Sequence, residues 1–326
     1  MPKTIPPTAA PVTAVQPDPG PSPFHAGEQA LQRANGSRDR IEMFGRRAIR
    51  PYLPDQHRAF FAQLPFVAVA AVDGDGRPWA SLFPGPPGFV HTPDEYHLDL
   101  ALHGAAADPV RQALQPGAAI GLLGIEMHSR RRNRLNGRIK SLDINHIRLR
   151  VDQSFGNCPK YIKRRQLTPS RPATDSSPAR VSARFTQLTG AVRDQIVAAE
   201  VFFVASAIKA QDNPVIQGVD VSHRGGPVGF VRIDGNSLII PDYRGNNHFN
   251  TLGNFLLNPR AGLVFPDFDS GTLLQLTGRT ALLAQDSPEL QGFDDAVGGW
   301  RFSLDEGLCL QDALPFRTDT QTRTDQ

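Results

Sequence analysis

The densest group of side chains suited to chemistry lies in PDYRGNNHFNTLGNFLLNPRAGLVF, residues 241–265. Arg244, Asn246 and Asn247 place a guanidinium and two carboxamides in a loop around Gly245, and Asn250 and Thr251 follow where helical spacing begins. Donors gathered at a helix N-terminus point the same way as its unpaired N–H groups and the positive end of its dipole, an arrangement that suits an anion, phosphate above all. A well-capped helix with a solvated arginine is spelled the same way, so these residues alone leave both readings open.

Three other clusters could serve such a site. Ser222-His223-Arg224-Gly225 offers a hydroxyl, an imidazole and a guanidinium on one strand, although Arg224 as a plain surface turn residue is the competing reading. The run from His128 to Arg134 is the most basic in the chain and carries Arg132, Asn133 and Arg134. It suits solvated turn arginines or contacts to a bound anion. A nucleic-acid face is disfavoured by a formal net charge of only +3 and by the neutral-to-acidic counterpart Asp269-Ser270-Gly271-Thr272. Trp79 and Ser81 stand after a turn, with Trp79 as a core aromatic the plain alternative.

Other chemistries lack their residues. Nine histidines fall in neither HxxxH nor HExxH spacing, so no metal site is expected. Neither GxSxG nor GxxxxGK[ST] occurs, and no catalytic residue is assigned. His25 with Glu28 reads as a helix cap and, secondarily, as a polar pair at a site mouth. Cys158 reads as a small buried residue, with a place near a ligand as the alternative. Two cysteines in 326 residues fit a reducing, cytoplasmic setting, and no apolar run is long enough to span a membrane.

The elements that must position these residues are mostly short strands between Gly/Pro turns. Strands are expected at 66–72, 78–83, 88–90, 96–101, 119–125, 135–142, 237–240 (closed by Pro241-Asp242) and 261–265. Helices are expected near 28–36, 38–48, 54–64, 108–114, 187–203 and 249–257. An ungapped repeat organises them: GPPGFV at 85 matches GPVGFV at 226, and Gly121 to Arg138 matches Gly262 to Arg279, both at an offset of 141. The expected organisation is a disordered Pro-rich tail at 1–23, a first unit with N-terminal helices at 24–165, a linker at 166–184 and a second unit at 185–326. Two copies in one chain can pack as an intramolecular pseudo-dimer, which leaves room for a homodimer as well. The stretch ALHGAAA at 101–107, equivalent to the Asn/Arg loop, has neither Asn nor Arg, so one phosphate site per chain is expected.

Phe24-His25-Ala26-Gly27-Glu28, Gly121 to Gly137 with RRRNRLNG, Phe155 to Tyr161, Ser222 to Val231 and Pro241 to Pro259 occur in an order that resembles the tandem branch of the FMN-binding split-barrel proteins related to pyridoxamine 5'-phosphate oxidase. The resemblance implies an α+β, β-dominated fold of two split barrels with short peripheral helices and FMN bound between units. It implies phosphate contacts from the second copy and ring contacts from Trp79, Ser81 and the Arg132–Arg134 hairpin. Where relatives carry a basic pair at the start of the helix, this chain has Asn250 and Thr251. The partner to expect is a small-molecule substrate or reductant, with neither nucleic acid nor membrane. A flavin oxidoreductase is the leading reading, against a non-catalytic flavin carrier or sensor and a degenerate interaction module.

Overall fold

The computed structural model describes residues 20–173, 179–208 and 218–319. Three helices come first, α1 (Ala26–Ala34), α2 (Arg38–Ala48) and α3 (Asp55–Ala62). They lead into β1 (Phe66–Val72), β2 (Pro78–Pro84), β3 (Val90–His91), β4 (His97–Ala101), α4 (Pro109–Ala113), β5 (Ala119–Glu126), β6 (Arg131–Leu142) and β7 (His146–Gly156). Two connecting strands follow, β8 (Leu167–Pro169) and β9 (Arg180–Phe185). The second unit comprises α5 (Gly190–Ala198), β10 (Val201–Ile208), β11 (Gly218–Gly225), β12 (Arg232–Asp234), β13 (Ser237–Tyr243), α6 (Asn250–Leu257), β14 (Arg260–Asp267), β15 (Thr272–Leu283) and β16 (Ala296–Gln311), and β17 (Phe316–Thr318) closes the described chain. Among the described residues, no helix is long and apolar enough to cross a membrane.

The first sheet runs β2-β1-β5-β6-β7-β4-β3 and the second β11-β10-β14-β15-β16-β13-β12, so adding nine to each strand number of the first gives the second. The repeat is thus structural: β6 at 131–142 and β15 at 272–283 keep the offset of 141 at both ends. The fold is α+β, a β-dominated pair of split-barrel units with short peripheral helices.

The uninterrupted apolar run FVAVAAV has a physical reason in the packing. Side chains alternate across a strand, and in β1 Val67, Val69 and Ala71 fill the first barrel while Phe66, Ala68 and Ala70 enter a core shared by both units. In β10, Phe202 and Val204 fill the second barrel while Phe203 and Ala205 enter the shared core. Pseudo-two-fold packing requires glycine at two equivalent points. A Cβ on Gly121 would lie 2.5 Å from the Val219 carbonyl oxygen, and one on Gly262 would lie 2.4 Å from that of Pro78. Both pairs are related by the same 141 residues.

Several expectations require correction. Residues 166–184 are no simple linker, because β8 pairs with β17 and β9 with β16; strand pairing uses backbone groups, which low apolar content does not forbid. Residues 1–19 and 174–178 of the stretches expected to be disordered lie outside the described residues. Gly20 to Pro23 are fixed: Arg46 donates to the Gly20 and Pro21 carbonyls at 3.0 and 3.3 Å, and Ser22 Oγ donates to Glu42 at 2.7 Å. The helix expected to reach residue 203 stops at Ala198, since Val201, Phe202, Phe203 and Val204 are β-formers buried on both faces. Pro241-Asp242 does not close its strand, which continues to Tyr243 with a bulge after Asp242. Finally, α1 docks on the second unit as well: a Cβ on Gly27 would lie 2.1 Å from Gly253 O in α6.

Candidate functional site

A cavity of about 650 Å³ opens between β6 of the first unit, β11 of the second, the loop joining β13 to α6, and the segment around Lys160, with Leu31, Ala34 and Asn35 from the N-terminal helices at its rim. That volume falls in the range of small-molecule sites. Of the residues singled out in the sequence, Arg132, Arg134, Ser222, His223, Arg224, Gly225, Arg244, Asn246, Asn247, Asn250 and Thr251 line it, as does Cys158. Trp79, Ser81 and Asn133 do not. Trp79 is in the core of the first barrel with its indole N–H on Asp73 Oδ2 at 2.9 Å, and Ser81 is buried against Asp108. Trp79 thus has its plain alternative, a core aromatic, while Ser81 is held by Asp108 away from the cavity.

The floor of the cavity is a buried polar network. Arg134 donates from Nη1 to Asp220 Oδ1 at 2.7 Å and from Nη2 to Ser222 Oγ. Asn136 adds a bond to Asp220 Oδ1 at 2.6 Å, and Asn254 one to Asp220 Oδ2 at 3.1 Å. Arg224 is tied to Asp242 at 3.1 Å, so its charge is largely spoken for. Arg132 differs: its Nε donates to the Cys158 carbonyl at 2.6 Å, and among the described residues it has no carboxylate partner. Burial, with repulsion from Arg134 and Arg224, pushes its pKa down to about 10. Lining cations (Arg132, Arg134, Lys160, Arg224, Arg244) outnumber carboxylates even when Asp220, behind Arg134, joins Asp242 in the count.

The helix start supplies neutral donors. Phe249 stands at the N-cap of α6 with φ of 62° and provides no side-chain cap, so among the described residues no side chain caps the first N–H groups of α6. Asn247 shares the left-handed conformation, with φ of 60°. Two non-glycine residues close to Gly245 thus take the left-handed conformation, at a cost of roughly 1–2 kcal/mol each.

The equivalent place in the first unit is shut. Leu82, Phe83, Pro84, His103 and Leu273 occupy the positions of His223, Arg224, Gly225, Arg244 and Arg132, and only about 10 Å³ remains. Asp108, equivalent to Phe249, caps α4 through Val110 N at 2.8 Å and also accepts from Ser81. A carboxylate of the chain itself thus takes the donors that its counterpart leaves free.

Sequence reasoning missed Asp220 and undervalued Glu28. An acid inside the strand VDVSHRG had to find donors, which was a usable signal. Glu28 does form the expected capping box, accepting from His25 N at 2.9 Å while His25 Nδ1 accepts from Gly27 N at 3.1 Å. It also accepts from the Asn250 carboxamide at the cavity wall, a contact across 222 residues that spacing could not show.

The sequence model of the pyridoxamine 5'-phosphate oxidase family matches residues 53–184 and again 188–306. The chain belongs to that family. No curated protein matches it. Among solved structures, a candidate pyridoxamine 5'-phosphate oxidase from Lactobacillus delbrueckii is 16% identical over 32% of this chain and 95% of its own, with a TM-score of 0.27. A FAD-binding protein from Mesorhizobium loti is 13% identical over 37% and 94%, with a TM-score of 0.28. A general stress protein 26 relative of the pyridoxinephosphate oxidase family from Clostridium acetobutylicum is 14% identical over 40% and 92%, with a TM-score of 0.26.

Proposed function

We propose that the chain is an FMN-dependent oxidoreductase acting on a small molecule, with one FMN per chain, held between proposed units 24–165 and 185–326. The observation that carries this reading is the pairing of one open, cation-rich cavity at an uncapped helix N-terminus with a sealed, self-capped equivalent. A phosphate near two negative charges, taken out of water, needs charged partners and N–H donors together. Arg244, Asn246, Asn247, Asn250, Thr251 and the first N–H groups of α6 provide both, and Arg224 joins them to the extent that Asp242 releases it. Arg132 and Arg134, with Ser222, His223 and Gly225, face the remainder of the cofactor. Bound FMN supplies two-electron chemistry at its N5 atom. The residues of the chain bind, orient and exclude water, and the uncompensated charge of Arg132 favours any added negative charge beside it.

Two outcomes check the assignment. Arg244→Ala should weaken FMN by roughly tenfold to a hundredfold, the loss of a hydrogen bond to a charged group, and Arg224→Ala by less because Asp242 already holds it. Arg132→Ala should lower the reduction potential of bound flavin, read by spectroelectrochemistry. The oxidoreductase reading is tested by anaerobic addition of NADH or NADPH to the FMN-loaded protein: bleaching of the flavin followed by reoxidation on adding an acceptor supports turnover. Flavin that binds but stays oxidised with either donor, and that no acceptor reoxidises after chemical reduction, would leave a carrier.

A further inference from the structure

We propose that Glu28, on a helix that precedes both β-units, is a positioning residue of the cavity, setting the Asn250 carboxamide at the head of α6 so that loss of its proton weakens anion binding there. The proposal rests on the FMN reading for its ligand and on geometry for its residue. Glu28 is 4% exposed, and α1 is held so close to α6 by Gly27 and Gly253 that its carboxyl group reaches the cavity wall from behind. Oε1 accepts from Asn250, which lines the cavity, and Oε2 accepts from the His25 backbone N–H.

The groups facing Glu28 only partly balance a negative charge: the His25 N–H, the Asn250 carboxamide and Arg134 favour the ionised form, but burial and Asp220 outweigh them. On its own helix, His25 accepts through Nδ1 from two backbone N–H groups, so its ring proton sits on Nε2, which lies 3.3 Å from Glu28 Oε2 but off the line of a hydrogen bond. Burial lowers the pKa of His25 and favours the neutral ring. From β11, Asp220 adds a second carboxyl group. From β6, Arg134 is already paired with Asp220. From α6 come only the carboxamides of Asn250 and Asn254. Burial first and Asp220 second raise the Glu28 pKa to about 8.

The sign follows. A folded pKa above the ordinary carboxyl value means that the stabilising share of Glu28 is fully present below that ordinary value and is lost as pH rises to about 8. An anion bound beside Asn250 adds repulsion against the ionised form. If only the neutral form binds, the competent fraction, and with it the affinity, falls about tenfold between pH 7 and 9. The phosphate, with its second pKa near 6, keeps its charge across that interval.

The test is a fluorescence titration of the full-length apoprotein with FMN at pH 7, 8 and 9, for the wild type and Glu28→Gln. Cys158→Ser is carried in both backgrounds to remove a cavity thiol. The wild type should lose about tenfold and Glu28→Gln less than threefold, the smaller loss coming from other cavity groups, among them Arg132 with its pKa near 10. Superimposable profiles would overturn the proposal. Infrared spectra of the apoprotein provide a readout independent of FMN and of the variant's folding. A protonated-carboxyl band present at pH 7, lost by pH 9 and missing from Glu28→Gln supports the proposal, and its absence from the wild type at pH 7 overturns it. If FMN binds at no pH the cofactor reading fails, and the infrared band alone then decides the protonation on which the role of Glu28 depends.

Discussion

Arg134→Ala is expected to cost about 3–5 kcal/mol of stability, because it strands Asp220 inside the protein without its cation. The two side chains are 3% and 12% exposed and meet at 2.7 Å, so solvent offers Asp220 little compensation. The guanidinium also lies over the Phe155 ring at 5.4 Å and crosses from β6 to β11, which makes it a joint between units as well as part of the cavity floor. Arg134→Lys keeps the charge but loses the fork that reaches Asp220 and Ser222 together, and should fall between wild type and alanine. Denaturant unfolding of Arg134→Ala with and without Asp220→Asn isolates the pair: neutralising Asp220 should recover a large part of the loss. A loss below about 1 kcal/mol for Arg134→Ala, the level of an exposed pair, would show that the network carries no such weight.

Gly262→Ala is expected to be nearly as damaging, at about 3 kcal/mol. The new methyl would lie 2.4 Å from the Pro78 carbonyl oxygen and 2.6 Å from the Trp79 Cα, and these are backbone atoms of a paired strand that cannot swing aside. Gly121→Ala, its pseudo-symmetric equivalent against Val219, should behave alike. Gly74→Ala provides the control, since a Cβ there meets nothing within 4 Å. Guanidinium unfolding of the three variants gives the comparison. If Gly262→Ala is as stable as Gly74→Ala, the close packing of the two units is not what holds the shared core.

The sequence made the second cavity wall legible because its signals were local. Arg244, Asn246, Asn247, Asn250 and Thr251 lie within eight residues, and a helix start explains their grouping. The ungapped offset of 141 exposed the repeat because β5-β6 and β14-β15 kept their turn lengths. β7 was overlooked although Ile147, Leu149 and Val151 alternate with outward residues, as a half-buried strand should. The resemblance to the split-barrel family implies a ring contact from Trp79, yet Trp79 shares its strand face with Ser81, away from Ala80 and Leu82 in the shared core, and fills the first barrel. The Glu28–Asn250 contact was beyond reach, since it depends on two glycines in distant helices meeting backbone to backbone.

The proposed single flavin mononucleotide site per chain is put to the test by an equilibrium titration of apoprotein at pH 7 with FMN and, separately, with riboflavin. Saturation is expected at one FMN per chain, with riboflavin bound at least tenfold more weakly because it offers the Arg244 loop and the α6 N-terminus no phosphate. Two FMN per chain, equal affinity for riboflavin, or no binding of either would contradict it.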